Sequence, residues 1–196
     1  MIPIVLASKS AVRARMLEAA KIPFETADSG IDEAAVKAQH AGLTPKAMAE
    51  ALAERKALAV AGKRPDAVVI GADQTLDADG RLFDKAASLE EARARLLMLR
   101  GRSHQLHSAA AVARGDRLVW KKTASATLTM RGFTDAWLDG YLARNPGPAL
   151  SSVGAYELEG EGSQLFERIV GDYFAILGLP LLGLLACLRD EGALPR

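Results

Sequence analysis

One stretch, AVVIGAD at residues 67–73, constrains the fold more than any other part of this chain. It is apolar up to its last residue and contains three consecutive β-branched residues, Val68, Val69 and Ile70. Such a run predicts a buried β-strand. Because polar residues follow at once, we expect this strand to end at Asp73. In open α/β sheets, ligands bind where strands end, so the same residue is a candidate for function.

Predicted strands and helices alternate along the rest of the chain. The predicted strands cover residues 3–6, 24–27, 105–114, 118–120, 125–131, 154–159 and 165–169. The predicted helices cover residues 11–20, 45–61, 89–100, 135–143 and 180–191, and four of them follow a capping residue: Ser10, Thr44, Ser88 and Thr134. Asp79-Gly80 predicts a hairpin, and NPGP at residues 145–148 predicts a turn. The order predicts an α/β (mixed α+β) domain over residues 1–196, with helices flanking a central mixed, twisted sheet.

Composition excludes several classes of function. The formal net charge is +1, so no general basic field exists to attract a polynucleotide. The single cysteine, Cys187, excludes an internal disulfide. The longest apolar block, residues 176–188, contains glycine and proline and is too short to span a bilayer, and the chain start lacks the basic residues of a signal peptide. We therefore expect a cytoplasmic protein with no membrane partner.

The first predicted strand runs into a loop suited to an anion. Ser8 and Ser10 offer hydroxyl groups, and the helix after them offers free backbone N–H groups and the positive end of its dipole. Arg13 lies in the first helical turn, where that dipole disfavours a cation, and a bound phosphate would compensate it. The alternative is a capping serine beside a solvated basic face.

Two further positions interrupt apolar patterns. Met48, Leu52 and Lys56 share one stripe of a predicted helix, so the lysine lies on the face that should point inward. It could meet phosphate in a cleft, as could Lys85, or it could reach the rim of the protein. Asp73 could bind a divalent cation or take a proton from water, or simply begin a turn.

Acidic residues complete the candidate site. Glu33 follows Asp32 in a predicted loop, where paired carboxylates can bind metal or face solvent. Glu159 lies in a glycine-rich stretch, where the backbone can approach a ligand and a carboxylate could pair with the edge of a base. Cations beside carboxylates indicate a metal-bound polyphosphate. This chemistry leaves phosphatases, nucleotide hydrolases and nucleotide sensors as alternatives.

Nearly the whole chain resembles the Maf family of nucleoside triphosphate pyrophosphatases. The resemblance is carried by an ordered set of motifs: LASKS at 6–10 with Arg13, GIDE at 30–33, LAERKA at 52–57, GADQT at 71–75, Lys85, GRSHQLHSA at 101–109, VGAYELEGEG at 153–162 and GDYFAILGLPL at 171–181. It implies two lobes around a nucleotide-binding cleft, as in inosine triphosphatase-like folds, and a homodimer. It also implies that a nucleoside triphosphate is hydrolysed to the monophosphate and pyrophosphate with Mg²⁺ or Mn²⁺, as a way of removing non-standard nucleotides.

The resemblance assigns roles to individual residues. Asp73 matches the family's proton acceptor, and Glu33 matches an acidic position that assists the metal, so both are expected as metal ligands. The phosphate-contacting positions match Ser8, Arg13, Lys56 and Lys85.

The resemblance also points to a branch of the family. Gln74 and Glu159 are similar to the 7-methyl-GTP branch, whereas the dTTP/UTP branch has threonine and glutamine at these positions. A carboxylate can accept hydrogen bonds from guanine and favours the positive charge of a methylated guanine. Val12, an expected substrate contact, stands where the 7-methyl-GTP branch often has tryptophan. A dTTP/UTP enzyme and a non-catalytic, nucleotide-binding regulator of cell division are the alternatives.

Overall fold

A computed structural model describes residues 2–195 and confirms a mixed α/β architecture. Seven strands form one sheet: β1 (Ile4–Ala7), β2 (Glu25–Thr26), β3 (Val68–Ala78), β4 (Arg81–Phe83), β5 (Ser103–Arg114), β6 (Arg117–Met130) and β7 (Phe166–Gly171). Their order is β2-β1-β3-β5-β6-β7, and β4 pairs with one end of β3. The β1, β2 and β3 strands are parallel, whereas the pairs from β3 onward are antiparallel.

Within residues 2–195, eight α-helices flank this sheet: α1 (Ala11–Ala19), α2 (Glu33–Gln39), α3 (Pro45–Ala61), α4 (Leu89–Leu99), α5 (Asp135–Arg144), α6 (Pro146–Ser151), α7 (Tyr173–Leu177) and α8 (Leu181–Asp190). The four predicted capping side chains all accept a backbone N–H at the start of their helices. The predicted hairpin at Asp79-Gly80 is confirmed, with both residues at positive φ between β3 and β4. No helix within residues 2–195 is long and apolar enough to cross a membrane.

The prediction that the strand ends at Asp73 is wrong. β3 continues for five residues beyond it, because the antiparallel ladder with β5 extends from Val69 to Asp77. Asp73 therefore lies within the strand, at a place where the sheet faces a cleft, and it does not mark the end of the β3–β5 ladder. Similarly, the two strands predicted at 118–120 and 125–131 are one strand, β6, which pairs with β5 along most of its length.

Three other predictions differ from the structure. Residues 154–159 form turns and irregular backbone and not a strand. The chain is tightly packed on itself just after them, because a Cβ on Gly162 would lie 2.4 Å from the carbonyl oxygen of Glu157. NPGP does not form only a turn, because Pro146 begins α6. The loop assigned to Glu33 is the first turn of α2, whose N-cap is Asp32. This helix buries only Val36, so it shows no apolar periodicity in the sequence.

The buried apolar residues form several separate clusters. One contains Leu96, Leu138 and Tyr141 from α4 and α5. Another contains Leu17 and Leu184 from α1 and α8. A third consists mostly of small residues where α3 lies on the sheet, and it decides how closely the helix and the sheet approach.

The approach between α3 and β3 is closest at Gly71. A Cβ on this glycine would lie 2.2 Å from the carbonyl oxygen of Ala53 and 2.4 Å from the backbone nitrogen of Ala57. These are backbone atoms of a buried helix, so they cannot move aside as a side-chain end would. Only glycine permits this approach, which places Lys56 of α3 beside Asp73 of β3.

We expect Gly71→Ala to destabilise the protein by about 2 kcal/mol or more, because the added methyl group must push α3 away from the sheet. Urea unfolding followed by circular dichroism would measure the change. Gly132→Ala is the matched control, since a Cβ there meets nothing within 4 Å. Equal stabilities of the two variants would contradict this account of the contact.

Candidate active site

The most buried charged group of the site joins three segments of the chain. Lys56 Nζ of α3 lies 2.6 Å from Asp73 Oδ1 of β3 and 2.7 Å from Glu33 Oε1 of α2. The side chains of Lys56 and Asp73 are 9% and 11% exposed, whereas Glu33 is 45% exposed. The inward-facing lysine is therefore held between two carboxylates, and it does not extend to the rim of the protein.

Burial gives the two carboxylates different acidities. Desolvation raises the pKa of Asp73 above its ordinary value of 3.8, although the charges of Lys56 and Arg13 and a hydrogen bond from Lys56 act against it. Partial desolvation also acts to raise the pKa of Glu33, but the hydrogen bond from Lys56 and the charges of Lys56, Lys37 and Arg13 together outweigh it, so that this pKa is lowered. Asp73 is consequently the better proton acceptor of the pair.

Arg13 connects the first loop to the rest of the site. Its Nη1 donates to the carbonyl of Ala72 at 3.0 Å and to Ser8 Oγ at 3.1 Å, and its Nε donates to the carbonyl of Gly178 at 3.0 Å. Burial lowers the pKa of this guanidinium from its usual value, although Asp73 and Glu33 act to raise it. Nη2 makes no hydrogen bond to any residue from 2 to 195, so this end of the fork can meet an anion.

The two serines of the first loop contribute differently. Ser8 Oγ accepts hydrogen bonds from Arg13 and from the backbone nitrogen of Ser10. Ser10 Oγ accepts the backbone N–H of Arg13 at 3.4 Å, which is the capping role that sequence reasoning gave as an alternative. Both serines and Val12 line the same cleft, so a phosphate contact is compatible with this arrangement.

Gln74 is largely committed to the protein itself. Its Nε2 donates to the carbonyls of Ala175 and Ile176 of α7, both at 3.0 Å, and to Ser108 Oγ at 2.9 Å. Ser108 in turn donates to the carbonyl of Ala175 at 2.6 Å. Gln74 therefore connects α7 to the sheet through its amide nitrogen, and its amide oxygen is the atom that can accept a hydrogen bond from a ligand.

These side chains open into a cleft of about 710 Å³. All the residues expected to bind substrate or metal line it: Ser8, Ser10, Val12, Arg13, Glu33, Lys56, Asp73, Gln74, Lys85 and Glu159. Lys85 is exposed, and Glu159 Oε1 accepts a hydrogen bond from the hydroxyl of Tyr173 at 3.3 Å. A cleft of this volume has room for a nucleotide.

Sequence reasoning missed several charged residues of the cleft. Lys37 lies one turn after Glu33 on α2 and pairs with Asp84, which precedes Lys85. The pattern of α2 gave no signal for it, since this helix has no apolar stripe. Glu157 lies 3.9 Å from Arg15 of α1, which links the first helix to the glycine-rich segment.

Two carboxylates of the site could contribute to a metal centre. Mg²⁺ is usually bound by one or two carboxylates together with substrate phosphates, and Glu33 and Asp73 supply such a pair. Within residues 2–195, no group of three or more His, Cys, Asp or Glu side chains is arranged to hold a metal. The donor chemistry thus fits an ion that takes its remaining ligands from a bound triphosphate and water.

Comparisons with known proteins identify the family to which the chain is similar. A family model described as Maf-like protein matches residues 3–191. The chain is 57% identical to a nucleoside triphosphate pyrophosphatase of Caulobacter vibrioides, over 98% of this chain and 97% of that protein. It is 48% identical to a 7-methyl-GTP pyrophosphatase of Brucella abortus, over 97% of this chain and 96% of that protein. A solved HAM1 protein of Coxiella burnetii aligns over 97% of this chain and 100% of that chain, at 18% identity and a TM-score of 0.49.

We expect Lys56→Met to weaken the binding of a nucleoside triphosphate roughly tenfold or more, because a charge-assisted contact in a buried site is lost. Titration with a non-hydrolysable triphosphate analogue would measure the affinity. The control is Lys46→Met, which removes an exposed lysine from the same helix. An unchanged affinity in a folded Lys56→Met protein would show that this lysine serves only the fold.

The raised pKa of Asp73 predicts the acid side of the pH profile. As a base, Asp73 must be ionised, so kcat/KM should fall as the pH falls through a midpoint above 3.8. In Lys56→Met the midpoint of the residual activity should move to higher pH, because the lysine lowers this pKa. The pKa of the free substrate does not depend on Lys56, so a shifted midpoint identifies a titrating group of the enzyme. A profile whose midpoint is the same in both proteins would contradict the role of Asp73.

Proposed function

The chain belongs to the Maf family, and from this membership we propose that it hydrolyses a nucleoside triphosphate to the monophosphate and pyrophosphate. The observation that carries the proposal is the buried Asp73–Lys56 pair at 2.6 Å, with the more exposed Glu33 2.7 Å from the same lysine and Arg13 in the same cleft. It combines a base of raised pKa with fixed cations for a polyphosphate. Relatives that are 57% and 54% identical over nearly their whole length are named nucleoside triphosphate pyrophosphatases.

The cations position the triphosphate. Arg13 is fixed by three hydrogen bonds to the protein and Lys56 by two carboxylates, so both are ordered before the substrate arrives. Groups fixed in advance lose little freedom on binding and stabilise the charge that develops in the transition state. Lys85 adds an exposed positive charge at the edge of the cleft.

Asp73 then removes a proton from a water molecule. The oxygen of this water forms a bond to the α-phosphorus, and the bond from that phosphorus to the bridging oxygen of the β-phosphate breaks. Pyrophosphate leaves with the electron pair of the broken bond, and Asp73 releases its proton to solvent. A divalent cation, held by Glu33, Asp73 and the triphosphate, would supply further neutralisation of the phosphate charge.

For the base, we propose a guanine that carries a positive charge, as in 7-methyl-GTP. Glu159 lines the cleft and accepts one hydrogen bond from Tyr173 at 3.3 Å through Oε1, so its carboxylate can also accept hydrogen bonds from a guanine edge. A relative named 7-methyl-GTP pyrophosphatase is 48% identical to this chain. Gln74 supports the preference for this base indirectly. It donates hydrogen bonds to α7, and Tyr173 of α7 donates to Glu159.

Release of pyrophosphate from canonical and methylated nucleoside triphosphates, with Mg²⁺ or Mn²⁺, tests the reaction. We expect turnover by the wild-type protein and its loss in Asp73→Asn. Preference for UTP or dTTP would retain the reaction and contradict the choice of base. A folded protein that binds nucleotides without cleaving any of them would contradict the reaction and favour a nucleotide-binding regulator.

We expect Glu159→Gln to lower the ratio of kcat/KM for 7-methyl-GTP to that for GTP by roughly tenfold, because a charge-assisted contact with a cationic base is lost. Steady-state kinetics with both substrates would measure the ratio. Glu167→Gln, which neutralises an exposed glutamate of β7, is the control. A ratio that is the same in both variants would show that Glu159 does not recognise the base.

A further inference from the structure

Arg95 is a buried cation that the proposed mechanism does not use. It belongs to α4, and its side chain is only 4% exposed. The guanidinium carbon lies 5.5 Å from the centre of the Phe83 ring. No sequence motif singles out this residue, and it is absent from the lining of the cleft.

The guanidinium of Arg95 binds two segments that are far apart in the sequence. Its Nη1 donates to the carbonyl of Asp84 and, at 2.7 Å, to the carbonyl of Val153. Its Nη2 donates to Glu91 Oε1 at 2.8 Å, which fixes the orientation of the fork. One atom therefore connects the end of β4 with the segment after α6.

The two carbonyls belong to two walls of the cleft. Asp84 and Lys85 form a phosphate wall, because Asp84 pairs with Lys37 and Lys85 offers a cation for the triphosphate. Residues 153–159 form a base wall, because they end in Glu159. Arg95 contacts both walls but does not itself line the cleft.

Filling the space between the two segments does not by itself require an arginine at position 95. An apolar side chain of similar volume often stabilises a core as well as a buried ion pair does. The two N–H groups of Nη1, oriented by the contact of Nη2 with Glu91, can do what an apolar side chain cannot, which is to hold two carbonyl oxygens at a fixed separation. Its distinguishing contribution is therefore the spacing of the two walls.

We propose that Arg95 is a positioning residue that fixes the phosphate wall relative to the base wall, so that one nucleotide engages both. The inference rests on the proposed function, since it assigns the two walls to the two ends of a nucleoside triphosphate. When two contacts are joined in one ligand, the gain in affinity depends on how well their spacing matches. Loosening the walls therefore weakens an intact nucleotide more than either of its pieces.

Binding to Arg95→Lys tests the inference. The ligands are guanosine 5′-(α,β-methylene)triphosphate, GMP and pyrophosphate, each with Mg²⁺ and measured by calorimetry. We expect the triphosphate analogue to bind roughly tenfold more weakly or worse, and each fragment to change by less than about twofold. Arg93→Lys is the matched control, because it changes an arginine of the same helix that pairs at the surface with Asp139.

Equal losses for all three ligands, or no loss for the analogue, would overturn the inference. If Arg95→Lys does not fold, the same three ligands are measured with Glu91→Ala. This variant removes the carboxylate that orients the Arg95 guanidinium, and the Glu91 side chain is 49% exposed in the wild-type protein. The same pattern at smaller size would support the inference, and unchanged affinities would overturn it. A wild-type protein that binds none of the three ligands would contradict the proposed function as well. If the wild-type protein binds them and the affinities of the variants are unchanged, only the role of Arg95 is contradicted.

Discussion

The close approach of α3 to β3 at Gly71 is the contact on which the site depends. This close approach is possible because Gly71 lacks a Cβ and because Ala53 and Ala57, the residues of α3 that face it, have small side chains. It brings the ammonium of Lys56 within 2.6 Å of Asp73 in the interior of the protein. Burial raises the pKa of the aspartate while the lysine limits the rise, so the packing of a helix on a sheet sets the basicity of the proposed catalytic group.

Main-chain carbonyls hold much of the rest of the cleft. Arg13 donates to the carbonyls of Ala72 and Gly178, Gln74 donates to those of α7, and Arg95 donates to those of Asp84 and Val153. Each of these side chains connects segments that are distant in the sequence. Backbone acceptors are fixed by the elements that carry them, so they orient a charged side chain without adding a second charge. Arg13 is thus a fixed cation of the cleft, oriented by two carbonyls and the Ser8 hydroxyl.

The sequence predicted the strongly patterned parts of the fold and most of the charged groups of the cleft. β3, the helix caps and the hairpin at Asp79-Gly80 follow from local patterns that the structure retains. It did not predict α2, because a short helix that buries only Val36 has no periodicity. It also missed Arg95, whose partners are backbone carbonyls that only the tertiary fold brings together. Gln74 was expected to meet substrate, but the residue type alone gave no sign that its amide nitrogen binds α7.

The position at which water enters the products tests the central claim most directly. In the proposed reaction water attacks the α-phosphorus, so hydrolysis of GTP or 7-methyl-GTP in water enriched in oxygen-18 should place the label in the monophosphate. Mass spectrometry of the two products would locate it. We expect labelled monophosphate and unlabelled pyrophosphate. Label in pyrophosphate, or release of orthophosphate in its place, would mean that another phosphorus is attacked and would contradict the arrangement proposed around Asp73.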